Sequence, residues 1–329
     1  MMQAGPYTTG RDYTDEEIRS FVADLESLPG GDLTVALLVG CGQRAVGPVR
    51  EFLLNGKPRG VFQPRQRAVE VLGQLGAKDV LIEFLSQKRD IADAVVRFGE
   101  EAVENSAARE LARWRTDEIF DFLMNLGQQR MLAGVVDALR EFDRPEAVTV
   151  FLRALEDDVC RPIGEEALHR IAAMCKPELF EAARTVPSDR DEKRSERQRR
   201  RCVVRILCDL EFSENEWIEL RPLLEDSDKE IAIMAAEMAV DWAPASEKQA
   251  AAQFLIGCLE WAHWFLQIRV QECLRRNYSR VHELIQKESA LRRKSAKGEP
   301  LADPVLRMLV RVQSTAKNSD PKENVQHAQ

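Results

Sequence analysis

PRQRAVEVLGQLGAKDVLIEFL, residues Pro64–Leu85, holds two short amphipathic patterns joined at Gly76 and Ala77. Ala68, Val71, Leu72 and Leu75 fall at helical spacing in the first, and Val80, Leu81, Phe84 and Leu85 in the second. A hairpin of two such helices cannot cover its apolar stripe alone. It needs a similar neighbour on each side, which makes internal repetition the first property to look for in the rest of the chain.

Two further stretches follow the same logic. In FLRALEDDVCRPIGEEALHRI (Phe151–Ile171) a helix ending in Leu and acidic residues is followed by a short turn and a helix carrying Ala167, Leu168 and Ile171. Farther on, Ser213 and Glu216 have the spacing of a capping box, and Leu220 to Leu224 close the first helix. Glu225, Asp226 and Ser227 then make the turn, and Ile231, Met234, Ala235 and Met238 form the inward face of the second helix. The steps from Ala68 to Ala167 and from Ala167 to Ala235 are close to three and two multiples of a unit of roughly 33 residues, inside the range of helical repeats.

The chain thereby resembles the HEAT-repeat family, including its shorter HEAT-like form. The resemblance rests on the leucine pair and acidic turn of LLEDSDKEIAIMAAEMA (Leu223–Ala239), on Arg65 and Ala68 in RQRAVEVLGQLG, and on the progression of leucine, acidic residues and Ala-Leu from Leu155 to Leu168. It covers roughly Asp32 to Arg276. Ala232 stands where Arg65 would align, the unit around Ile91 to Ala102 is short, and Ser188 to Arg201 is inserted. The fold it implies is an all-α solenoid of stacked antiparallel helix hairpins.

Thr14 and Glu17 open the first helix as a capping box, with Ile18, Phe21, Val22 and Leu25 on its apolar face. Helices are expected behind Asp32, from Arg44 to Leu54, and over Ile91–Phe98 and Val103–Trp114, with Gly99 as the break between the last two. TDEIFDFLMNLG begins at Thr116 and is expected to close at Gly127. Met131–Phe142, Pro145–Leu155, a pair within Ser246–Arg276, Tyr278–Leu291 and Leu301–Val312 complete the pattern. Residues 1–13 read as a flexible lead, 14–313 as one solenoid with a charged insertion near 188–201, and 314–329 as a disordered tail.

Composition excludes some classes. Aromatic residues make up 6% and charged residues 31%, with three Tyr, a mixture suited to short helices and poor for a β-sandwich. A net charge of −8 disfavours a surface that grips phosphate throughout, so nucleic-acid binding is expected only from a local basic groove. Seven scattered cysteines without a CxxC pair fit a reduced, cytoplasmic chain. The N-terminus lacks the pattern of a secretory signal. The apolar stretch Ala250–Ile268 is interrupted by Gln253, Glu260, His263 and Gln267, so no membrane span is expected.

The search for chemistry returns little. The four histidines form no HExxH or His/Cys cluster, so no metal and no cofactor are expected, and His169 and His263 read as structural. Cys202 and Cys208 read as small core residues. GCGQRAVG (Gly40–Gly47) follows no strand and lacks the Lys-Ser/Thr of a phosphate loop. The neighbouring acids Glu100 and Glu101, and Glu165 and Glu166, point about 100° apart on a helix and are expected to face solvent. Trp261, Trp264 and Phe265 would share a face, with packing between repeats as their expected use.

The leading expectation is a non-catalytic scaffold or adaptor that holds a protein partner on the concave face of a solenoid, as the family resemblance implies. Arg65 and Arg67, at the start of a second helix, are candidate contacts. In SDRDEKRSERQRRR the mixed charge reads first as a solvated helix lead-in or mobile loop. Its functional reading makes Arg197, Arg200 and Arg201 contacts for an acidic partner or nucleic acid. The alternatives come from the same resemblance: a nucleic-acid binder or HEAT-like DNA glycosylase, using this run and Arg292, Arg293 and Lys294, or a relative of the HEAT-like bilin lyases.

Overall fold

The computed structural model describes residues 12–27, 30–184, 191–295 and 303–318. The chain is 79% helical, with 18 α-helices and no strand among the described residues. Contacts divide it into two compact units, Met1–Ile171 and Ala172–Gln329.

The first unit holds α1 (Asp15–Asp24), α2 (Gly31–Gly40), α3 (Val46–Asn55), α4 (Gln63–Gln74), α5 (Lys78–Ser86), α6 (Ala94–Leu111), α7 (Asp117–Gln129), α8 (Ala133–Arg140), α9 (Val148–Ala154) and α10 (Arg161–Ile171). Each even-numbered helix touches the next even one from α2 through α10, while α1, α3 and α5 touch in succession, as do α7 and α9. The second unit holds α11 (Lys176–Ala183), α12 (Arg194–Leu207), α13 (Glu214–Leu220), α14 (Lys229–Trp242), α15 (Ala245–Trp261), α16 (Trp264–Arg276), α17 (Tyr278–Ser295) and α18 (Pro304–Asn318). Here too α12, α14, α16 and α18 touch in succession.

The hairpin at Pro64–Leu85 shows how local chemistry sets this pattern. α4 ends in a Schellman motif: Gly76 takes φ +76°, its N–H donates to the Gly73 carbonyl, and the Ala77 N–H donates to that of Leu72 at 2.9 Å. Ala68, Val71 and Leu72 of α4 and Val80, Leu81, Phe84 and Leu85 of α5 are buried together, as their spacing predicts. The capping boxes at Thr14–Glu17 and Ser213–Glu216 are both formed, each satisfying orphan amides at a helix start.

Ion pairs tie neighbouring hairpins at a recurring separation. Arg50 pairs with Glu83, 33 residues on, and Arg65 with Glu100, 35 residues on. In the second unit the separation is 26 residues for Arg200 and Asp226 and 32 for Arg269 and Glu237.

Several expected boundaries move. α6 is one 18-residue helix with Gly99 inside it, because a Cβ there would lie 2.4 Å from the Arg59 carbonyl oxygen. The glycine serves the close approach of the preceding loop and breaks nothing. Gly127 likewise lies within α7, which runs on to Gln129, and faces Val150. α18 runs to Asn318, past the expected end at Val312. Ser314 and Thr315 donate their hydroxyls to the Arg311 carbonyl at 3.0 and 2.8 Å. Of the expected lead, Asp12 and Tyr13 are described, and the Tyr13 ring meets Phe21 edge-on at 5.3 Å. Residues 1–11, 185–190 and 319–329, which carry most of the expected lead, part of the insertion and most of the expected tail, lie outside the described residues.

Glu100 reverses its expectation of a solvent-facing acid. It is buried between Arg65 and Arg89, the latter at 3.0 Å, while Glu166 stays outside and pairs with Arg140 at 2.6 Å.

Candidate functional site

The charged run at Arg194–Arg201 forms the first two turns of α12, and the same end of the second unit gathers the starts of α14 and α16. Between them lies a cleft of about 670 Å³. Arg197 and Arg201 line it from α12, Asp228, Lys229 and Glu230 from the start of α14, and Trp261, His263 and Leu266 from the junction of α15 and α16. Asp228 caps α14 by accepting from the Glu230 N–H at 3.0 Å, whereas the N-cap of α16, His263, makes no side-chain cap bond.

The charges in the cleft are layered. Arg201 donates Nε to Asp228 at 2.8 Å and places Nη1 2.9 Å from Glu230. Arg197 donates Nε to Glu192 at 3.1 Å and stands 4.0 Å from Asp228. The Arg197 side chain is 50% exposed and that of Asp228 only 4%, so the cation lies outside and the carboxylate beneath it.

Beside this layer runs an apolar strip. Lys229 Nζ lies 4.7 Å from the centre of the Trp261 ring, within cation–π range. The His263 and Trp264 rings are 5.8 Å apart, and Phe265 meets Trp264 nearly edge-on at 6.1 Å. Trp261 is 47% exposed, Trp264 62%, Phe265 51% and Ile268 49%.

This exposure corrects the expectation that Trp261, Trp264 and Phe265 pack between repeats. α16 carries two apolar stripes: Val270, Cys273 and Leu274 are the buried one, and Trp264, Phe265 and Ile268 are the exposed one. Both stripes have helical spacing, so apolarity alone could not tell which one meets the core. His169 and His263, expected to be structural, are both exposed.

The five predicted arginines separate by environment. Arg65 is buried, donating to Glu100 and to the Leu53 carbonyl at 3.0 Å, with its guanidinium 5.2 Å from the Phe84 ring centre. Arg67 donates to the Leu25 and Ser27 carbonyls at 3.1 and 2.8 Å and to Asp32, fastening α4 to the link between α1 and α2. Arg200 turns inward to Asp226, to Glu192 at 2.9 Å and to the Ala183 carbonyl at 3.3 Å. Arg65, Arg67 and Arg200 therefore hold the fold together, in contrast to the contact role expected of them. Arg197 and Arg201 are the two that the cleft brings together.

Other chemistry is thin. No group of three or more His, Cys, Asp or Glu is placed to hold a metal among the described residues, and no helix there is long and apolar enough to cross a membrane. Burial pushes the thiols of Cys160, Cys208 and Cys258 up to about 12, which keeps them protonated and poorly nucleophilic. The most perturbed carboxyl is that of Glu237, pushed up to about 7 by burial against the pull of Arg269, to which it bonds at 2.7 Å. Asp241, noted beside Trp242, stands 3.9 Å from Arg280. In the first unit, a cleft of about 690 Å³ is lined by Arg89, Arg97 and Arg130 against Glu100, Glu101 and Glu104, without an exposed aromatic.

Compared with known proteins, the sequence matches no family model and no curated protein.

Proposed function

We propose that the chain is a HEAT-like α-solenoid acting as a non-catalytic interaction scaffold, with a protein partner docking where α12, α14 and α16 begin. Successive contacts among the even-numbered helices within each unit, together with ion pairs at a recurring separation, support the repeat reading. In such a stack one row of helices lines the partner-facing surface, and α12, α14 and α16 belong to that row.

The observation that carries the reading is the exposure of Trp261, Trp264, Phe265 and Ile268 side by side. Contiguous apolar surface of this kind marks interaction sites, and aromatic side chains with arginine carry most of the energy in interfaces. Arg197 and Arg201 stand next to it.

Capture of partners by the full chain from its native lysate, measured quantitatively beside a Trp264→Ala/Phe265→Ala variant, tests the reading. Both side chains are largely in solvent, so the variant is expected to keep its circular dichroism and melting temperature and to lose a defined set of captured proteins by tenfold or more, about 1.4 kcal/mol or more in binding. Unchanged capture by a folded variant contradicts this surface as the docking site.

A further inference from the structure

The layering of charge in the cleft narrows the chemistry of what it holds. Asp228 and Glu192 lie under the guanidiniums of Arg197, Arg200 and Arg201 and offset them from below, while Arg197 and the exposed Lys229 face outward. The N-terminal ends of α12, α14 and α16 meet at this cleft, and each helix start carries positive partial charge. At α16 that charge is not offset by a side-chain cap. The outward face of the cleft is therefore positive in a chain whose net charge is −8.

The apolar strip sets the size of the occupant. Three aromatic side chains near half exposure offer about 300 Å² of apolar surface, taking roughly 200 Å² for each whole side chain. A stable association between two copies needs about 800 Å² from each, more than this strip supplies. One amphipathic helix, with apolar side chains at i, i+3, i+4 and i+7, presents a face of matching extent.

We infer that the cleft binds an acidic amphipathic segment of another protein, with its apolar side chains on Trp264, Phe265 and Ile268 and its carboxylates facing Arg197, Lys229 and the start of α16. This inference rests on the scaffold reading and specifies its partner. Asp228 and Glu230 line the same cleft and would repel a continuous phosphate backbone, which separates an acidic peptide from a nucleic acid.

A displayed library of random peptides, selected on the full chain and counter-selected on Trp264→Ala, tests the inference. Enriched sequences are expected to carry net negative charge with apolar residues at helical spacing. Their synthetic counterparts, followed by fluorescence anisotropy, are expected to bind about tenfold more weakly to Lys229→Glu and to weaken as salt rises. Arg197→Gln is a second variant with the same expected direction. Enriched peptides that are basic or uncharged yet still require Trp264 overturn the acidic class and leave the scaffold reading standing. No Trp264-dependent peptide at all overturns both. A single-stranded oligonucleotide that displaces the peptide, or self-association in sedimentation that Trp264→Ala abolishes, also overturns the assignment to an acidic partner segment.

Discussion

Arg200 and Glu237 show how a side chain's environment decides its role. Arg200 is buried with two carboxylates, Asp226 and Glu192, so Arg200→Met would leave buried charge without its counter-ion. Removing one partner of a buried pair costs about 3–5 kcal/mol, and denaturant unfolding of the second unit should show a loss of that size. Arg197→Met, three residues away and half exposed, should cost about 1 kcal/mol or less. Glu237 gives a pH signature. Its folded pKa of about 7 lies above the ordinary carboxylate value, so the folded state holds an extra proton between the two. The protonated form favours folding, and that contribution fades as pH rises from about 4.5 to 7, by up to about 3 kcal/mol. Glu237→Gln keeps a neutral group throughout, so its stability relative to the native chain should rise between pH 5 and pH 8. A pH-independent difference in melting temperature between the two would contradict this. The sequence gave no hint of either burial, because Arg and Glu are most often exposed and periodicity does not report which charged residue a neighbouring hairpin covers.

Helices show a second division between what spacing reveals and what it hides. Capping boxes at Thr14 and Ser213 and the Gly76 turn were legible because their chemistry is local: a hydroxyl, a carboxylate and a left-handed glycine act within a few residues of one another. Gly99 and Gly127 were misread as breaks because their reason is distant, a loop backbone in one case and Val150 in the other. This yields a paired prediction. Gly257 lies inside α15 with open space where a Cβ would go, so Gly257→Ala should stabilise by about 0.5–1 kcal/mol. Gly99→Ala gains the same propensity but forces a Cβ to within 2.4 Å of the Arg59 carbonyl, and should destabilise overall. Thermal melting of the two variants checks the opposite signs. The aromatic strip was visible as residues and hidden as a site, since α16 carries two apolar stripes and only tertiary contacts show which one is left outside.

At the scale of the chain, all-helical architecture followed from composition and periodicity, and the recurrence of one hairpin pattern pointed to stacked repeats before any contact was known. A stack held together by neighbouring contacts should respond locally to damage. In native-state hydrogen exchange, Gly99→Ala should lower protection in α4, α6 and α8, which contact one another in succession, and leave α12, α14 and α16 as they were. Uniform loss across both units would contradict a nearest-neighbour stack. The central claim is that the cleft beside Trp264 is where another protein docks, and photocrosslinking in the native cell tests it most directly. With a photoreactive amino acid in place of Phe265, the account predicts a discrete crosslinked protein that is absent when the same group replaces the exposed Val95 of the first unit. No crosslink from Phe265, or the same product from both positions, would contradict it.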